Sequence, residues 1–171
     1  HISYELPILG NSVNRVPLTI TASSITKEYG NTLINGITTA FQVSGLQNGD
    51  TIDGLTANYG IGATATDPVN TYNTITLSDP ISSTFNASNY SITYVAGTIT
   101  VTKAPLSITP NVTRVYGEPF ESNTIVPVQG SNIIGLKNGE SVTAIYVEPN
   151  NYYSDSCLRP GVHGSVSMIP D

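Results

Sequence analysis

The stretch PLTITASSITKEYG at residues 17–30 recurs as PLSITPNVTRVYGEP at 105–119, with one residue deleted before the Tyr-Gly pair. A second stretch, VSGLQNGDTIDGLTANY at 43–59, recurs as IIGLKNGESVTAIYV from Ile133 to Val147. Two separated segments that return in the same order mean one folding unit used twice, and that constrains the fold more than any single residue does. The period is about 90 residues, an ordinary size for one small domain. A weaker third match sets HGSVSM at 163–168 against YNTITL at 72–77, with His163, Val166 and Met168 in the places of Tyr72, Ile75 and Leu77. The boundary between the repeats falls around Lys103–Pro105. So short a linker predicts a stiff rod rather than beads on a string.

Within each repeat, apolar residues alternate in short runs: LTITA at 18–22, FQVSG at 41–45, YNTITL at 72–77, YSITYV at 90–95 and TITVT at 98–102. Thr, Val, Ile and Tyr suit a pleated surface. Turn formers separate the runs: NGD at 48–50, TDP at 66–68, SDP at 78–80 and AG at 96–97. Helical periodicity is almost absent, and Pro105 and Pro110 would break a helix near the middle. The chain therefore reads as all-β: two tandem small antiparallel β-sandwich domains with an Ig-like look, each of about six or seven short strands. A β-grasp-like arrangement is the alternative, because GLQNGD and GLKNGE could each form a helical turn.

Three separated motifs carry a family resemblance: PLTIT with the Lys-x-Tyr-Gly that follows it, then VSGLQNGD, then NYSITYVAGTITVTKAPLSIT. In this order they resemble the MBG-type repeat, which occurs in tandem in large bacterial surface proteins, including filamentous-haemagglutinin-like adhesins. The resemblance covers 17–104 and weakens after Val147, where the family's Gly-Thr-Tyr strand becomes PGVHGSVSM. It implies a cell-surface structural or adhesive role and brings no catalytic residues with it.

The ends of the chain carry a further expectation. Residues 1–18, HISYELPILGNSVNRVPL, lie over NYSITYVAGTITVTKAPL at 89–106 without a gap. Ser3 meets Ser91, Arg15 meets Lys103, and Ile2, Tyr4 and Leu6 fall in phase with Tyr90, Ile92 and Tyr94. Asn11 in place of Ile99 departs from the pattern, and Pro7 removes one ladder donor. The second repeat, 105–171, correspondingly lacks counterparts of the last two strands. The expected organisation is a donor segment at 1–16, a complete domain at 17–104 and an incomplete second domain at 105–171. Ile2, Tyr4, Leu6 and Ile8 would be the inward face of a donor strand that completes the second domain of a neighbouring subunit. Such a contact joins copies of the chain head to tail into an open filament. The alternatives are a stalk fragment of a long tandem-repeat adhesin and a glycan-binding module.

Composition narrows the remaining chemistry. Charged residues are 11% of the chain and the net charge is −6. A nucleic-acid partner would call for a basic patch. No apolar run approaches the ~20 residues of a bilayer span. No basic and apolar leader stands at the start, so a secreted, extracellular protein with its signal peptide already removed is expected. The two histidines, His1 and His163, have no Cys, Asp or Glu at ligand spacing. Cys157 is the single cysteine, so it can form no bridge within the chain. Nothing here points to an enzyme, and no cofactor is called for. Asp50, Asp53, Asp67 and Glu140 are weak calcium candidates, since oxygen ligands on loops suit that cation; solvated turn carboxylates are the plainer reading. Asn86 (NAS), Asn89 (NYS) and Asn111 (NVT) fit the glycosylation acceptor pattern. Tyr152 and Tyr153 would offer a stacking platform for surface glycans or a loop packed on its own domain.

Overall fold

The computed structural model of the chain describes residues 13–113, 115–118, 124–148 and 165–168. Among the described residues the chain is all-β, with one short 3-10 turn at Ala87–Asn89 and no α-helix. It divides into two compact units, His1–Lys27 with Asn31–Thr102, and Glu28–Gly30 with Lys103–Asp171.

In the first unit the strands are β1 (Val16–Ala22), β2 (Ile25–Glu28), β3 (Gly36–Thr38), β4 (Phe41–Ser44), β5 (Gly54–Asn58), β6 (Thr71–Ile81), β7 (Tyr90–Val95) and β8 (Gly97–Thr102). They make two sheets, one in the order β4-β1-β7 and one in the order β2-β8-β6-β5-β3. The alternation read in the sequence becomes burial on one face. On β1, Leu18, Ile20 and Ala22 are buried while Thr19 is exposed; on β8, Gly97, Ile99 and Val101 are buried. Leu55, Ala57, Ile75, Leu77 and Tyr90 complete this core. Each large aliphatic side chain removed from water contributes about 1.5–3 kcal/mol before ordering costs.

The second unit has β9 (Ser107–Thr109), β10 (Thr124–Val126), β11 (Asn132–Ile134), β12 (Ile145–Glu148) and β13 (Ser165–Met168). Its sheets are β11-β9 and β10-β12-β13. Val126, Ile145 and Val147 are buried, with Ile108, Val128, Ile133 and Val142 packed against them.

The two units share pairings residue for residue. Ile20 lies opposite Val43 where β1 meets β4, and Ile108 lies opposite Ile133 where β9 meets β11. Ile37 lies opposite Thr56 where β3 meets β5, and Ile125 lies opposite Tyr146 where β10 meets β12. Even the glycine after β4 and β11 is matched. Gly45 and Gly135 have φ of +110° and +111°, and a Cβ there would run into the carbonyl oxygen of Pro17 or Pro105 respectively.

Four expectations need correction. The first unit is not purely antiparallel: β1 and β7 run parallel from Val16↔Tyr90 to Thr21↔Val95. Parallel neighbours need a long connection rather than a tight turn, and here the rest of the unit lies between them. Second, SDP at 78–80 is no hairpin turn but part of β6. The pairing with β5 shifts there, from Thr56↔Ser78 to Gly54↔Ile81, with Asp79 at φ +50°. A bulge is where a sheet tolerates a proline that cannot donate to the ladder. Third, GLQNGD and GLKNGE contain no helical turn. Each closes a β-turn, with Asp50 N–H donating to Gln47 O at 2.9 Å and Glu140 N–H to Lys137 O at 2.8 Å. Fourth, Val166 lies opposite Val147 just as Leu77 lies opposite Ala57, so Val166 takes the place of Leu77 and not of Ile75. A slip of two residues keeps every side chain on its own face, so alternation alone does not detect it.

Candidate functional site

Two loop clusters in the first unit gather its polar side chains. The first is built around Tyr90, the opening residue of β7, whose side chain is 3% exposed. Its hydroxyl donates to Asp50 Oδ2 at 2.7 Å and accepts the Gln47 N–H at 3.1 Å. The ring stacks on Phe85 with centroids 5.1 Å apart. One phenol thus ties β7 to both ends of the Gln47–Asp50 turn. The ionised Asp50 beside it raises the Tyr90 pKa above its ordinary value, against the opposing pull of the Gln47 N–H.

The second cluster holds the loop at 60–67. Lys27 on β2 is buried, and its Nζ donates to Asn31 O at 2.9 Å and to Thr64 O at 2.7 Å. Buried ammonium groups are rare unless paired, and here two backbone carbonyls replace water. Asp67 Oδ2 accepts the N–H groups of Gly62 and Thr64, both at 2.8 Å. Partial burial would raise the Asp67 pKa, but the Thr64 and Gly62 bonds outweigh it and, with the Lys27 charge, hold the carboxyl below its usual range. Sequence reading missed Lys27 as a buried group, although it stands in the recurring Lys-x-Tyr-Gly motif. Gly30, which ends that motif, has φ +95°, a conformation that suits glycine.

The calcium candidates do not converge. Asp50 is engaged by Tyr90. Asp53, on the same loop, accepts from Thr51 Oγ1 at 3.4 Å, and Asp67 is committed to backbone N–H groups at another loop. Glu140 belongs to the second unit. Among the described residues no three His, Cys, Asp or Glu side chains form a metal-holding group. The acceptor asparagines are exposed: Asn86 caps the 3-10 turn by accepting from Ser88 N–H at 3.1 Å and Ser88 Oγ at 2.8 Å, Asn89 ends that turn, and the Asn111 N–H donates to Ser131 Oγ at 2.8 Å. Ile2, Tyr4, Leu6, Ile8, Tyr152, Tyr153, Cys157 and both histidines lie outside the described residues.

The motif order, the buried Lys27 and the Tyr-Gly turn have one counterpart among known families, a YGX-type domain that matches residues 18–100. This stretch belongs to the MBG family. No curated protein and no solved structure matches the chain. MBG domains are adhesin-type structural repeats, so the groups above are read as supports of a scaffold. No described helix is long and apolar enough to cross a membrane.

One region of the second unit differs sharply from its MBG counterpart. In the first unit β1 is paired on both sides, by β4 and β7. Its equivalent β9 is paired by β11 alone among the described residues. The side chains follow. Leu18 is 1% exposed and Ile20 0%, whereas Leu106 is 40% exposed and Ile108 only half-buried. Exposed aliphatic residues beside an unpaired strand edge are the features that a further strand would cover.

Proposed function

We propose that the chain is a spacer segment of a bacterial surface protein of the adhesin type, made of MBG-type repeats in series. The observation that carries this reading is the re-use of one pairing register in both units, β1:β4 as β9:β11 and β3:β5 as β10:β12. A unit repeated in register is how a chain makes length. The parallel β1–β7 ladder suits such a role, because tension along the chain loads its hydrogen bonds along the strands, where they resist together. The few charges and many hydroxyl and amide side chains suit an extracellular surface, and exposed Asn86, Asn89 and Asn111 are available there for glycosylation. Tyr152 and Tyr153 stay with the glycan-contact reading. Immunogold labelling of intact producing cells, with antibody to residues 17–104, tests the assignment. Surface decoration is expected; label confined to the cell interior overturns it.

A second reading, head-to-tail assembly through residues 1–16, is favoured by the phase match of Ile2, Tyr4 and Leu6 with β7. Two positions of the β8 half count against it. Leu9 falls where Gly97 stands, and a Cβ at Gly97 would lie 2.9 Å from Ser23 O and 3.0 Å from Ala22 O, a wall of backbone. Asn11 falls where Ile99 is fully buried, and an unpaired amide there is costly.

A further inference from the structure

We propose that the edge of β9, with Leu106 and Ile108 beside it, is a docking site for an extended strand pair of the β7–β8 kind. The pair has a tyrosine at the position of Tyr90, a glycine at that of Gly97 and aliphatic residues at those of Ile99 and Val101. The inference rests on the serial-module reading above, and takes its geometry from the interface already built in the first unit. There β7 lies parallel to β1, with Leu18 opposite Ile92 and Ile20 opposite Tyr94. Leu106 and Ile108 occupy the same places on β9, whose pairing with β11 keeps the register of β1 with β4. An incoming strand therefore meets a surface whose complement is known residue by residue.

Three features of that complement decide the occupant. The tyrosine hydroxyl has a turn to hold, since Lys137–Glu140 closes as Gln47–Asp50 does and carries a carboxylate at the same position. The glycine is demanded by backbone: Gly97 abuts the carbonyls of Ala22 and Ser23, whose equivalents in the second unit are Pro110 and Asn111. The aliphatic pair finishes a core that Val126, Ile145 and Val147 begin. Residues 89–103 satisfy all three conditions. Residues 1–15 offer Ile2, Leu9 and Asn11 in the first three places and satisfy none of them there.

The test uses the whole 171-residue chain and two fluorescein-labelled peptides, residues 89–103 and residues 1–15, followed by fluorescence anisotropy. Saturable binding of the 89–103 peptide is expected. Its Gly97→Leu variant and the 1–15 peptide should each bind at least about ten-fold more weakly, the size of effect that overpacking against a rigid wall produces. Leu106→Asp in the protein should weaken the 89–103 peptide by a similar factor, with the circular dichroism spectrum unchanged because that side chain is exposed. The peptide variant leaves the protein untouched, so a failure of the Leu106 variant to fold does not blunt the test. No saturable binding of the 89–103 peptide overturns the proposal, as does a Gly97→Leu peptide or a 1–15 peptide that binds equally well. The outcome is independent of where the protein resides, so it can fail while the surface assignment stands, or the reverse.

Discussion

The hydroxyl of Tyr90 donates to the carboxylate of Asp50 at 2.7 Å, from a ring that is otherwise shut away from water. That single bond joins the start of β7 to the Gln47–Asp50 turn, and its pH dependence is distinctive. The Tyr90 pKa is raised in the fold by Asp50. A raised pKa means that the bond's contribution is complete below the unfolded phenol value, about 10, and is lost as pH rises through the folded value. Thermal melts above pH 10 are expected to show the wild type losing stability faster than Tyr90→Phe. Parallel pH profiles for the two proteins would contradict this role for the hydroxyl.

Lys27 provides a second check. Replacing it with Met removes the donor of two carbonyls, Asn31 O and Thr64 O, and leaves them without that partner. The expected loss is on the order of 2 kcal/mol in urea unfolding, the usual cost of stranding buried polar groups. A variant as stable as the wild type would mean that water satisfies both carbonyls.

Asp67 sets the acid limit of the same loop. Its pKa is lowered in the fold, so its contribution is present above the unfolded carboxyl value, about 4, and disappears as pH falls through the folded one. Asp67→Asn is expected to remove this part of the acid sensitivity, read as a flatter stability profile below pH 4. An unchanged profile would assign that sensitivity to other carboxylates.

Much of this architecture was legible from side-chain alternation. The runs at 18–22, 41–45, 72–77, 90–95 and 98–102 coincide with β1, β4, β6, β7 and β8. Alternation states which face a residue occupies, but not which strand lies beside it, so the parallel partnership of β1 and β7 was hidden. The bulge at Asp79–Pro80 was read as a turn because both use the same residues, one at positive φ and one lacking an N–H. Lys27 was hidden for a different reason. A lone cation in a strand ordinarily marks the solvent face, and only the fold shows two carbonyls waiting for it.

The contrast between the units makes a paired expectation. Leu18→Ala should cost about 2–5 kcal/mol, as deletions in a closed core do. Leu106→Ala, at the equivalent but exposed position, should stay within about 1 kcal/mol. Urea unfolding with residue-resolved NMR separates the two units. Equal losses at both positions would mean that Leu106 is covered in solution.

Gly45 and Gly135 should answer alike. Both hold the left-handed conformation against a proline carbonyl, so Gly45→Ala and Gly135→Ala should each destabilise their own unit by about 2 kcal/mol or more, combining strain with a clash against backbone. Tolerance at Gly135 alone would show that the second unit does not keep the geometry of the first.

The central claim is that the second unit is a copy of the first with the outer edge of β9 unpaired. Amide hydrogen exchange of the 171-residue chain tests it most directly, because exchange reports the opening of each strand separately. The account expects Thr19–Thr21 on β1 to be protected on the order of 100-fold or more beyond Ser107–Thr109 on β9, with the 89–103 peptide narrowing the gap. Equal protection of the two strands in the chain alone would contradict it.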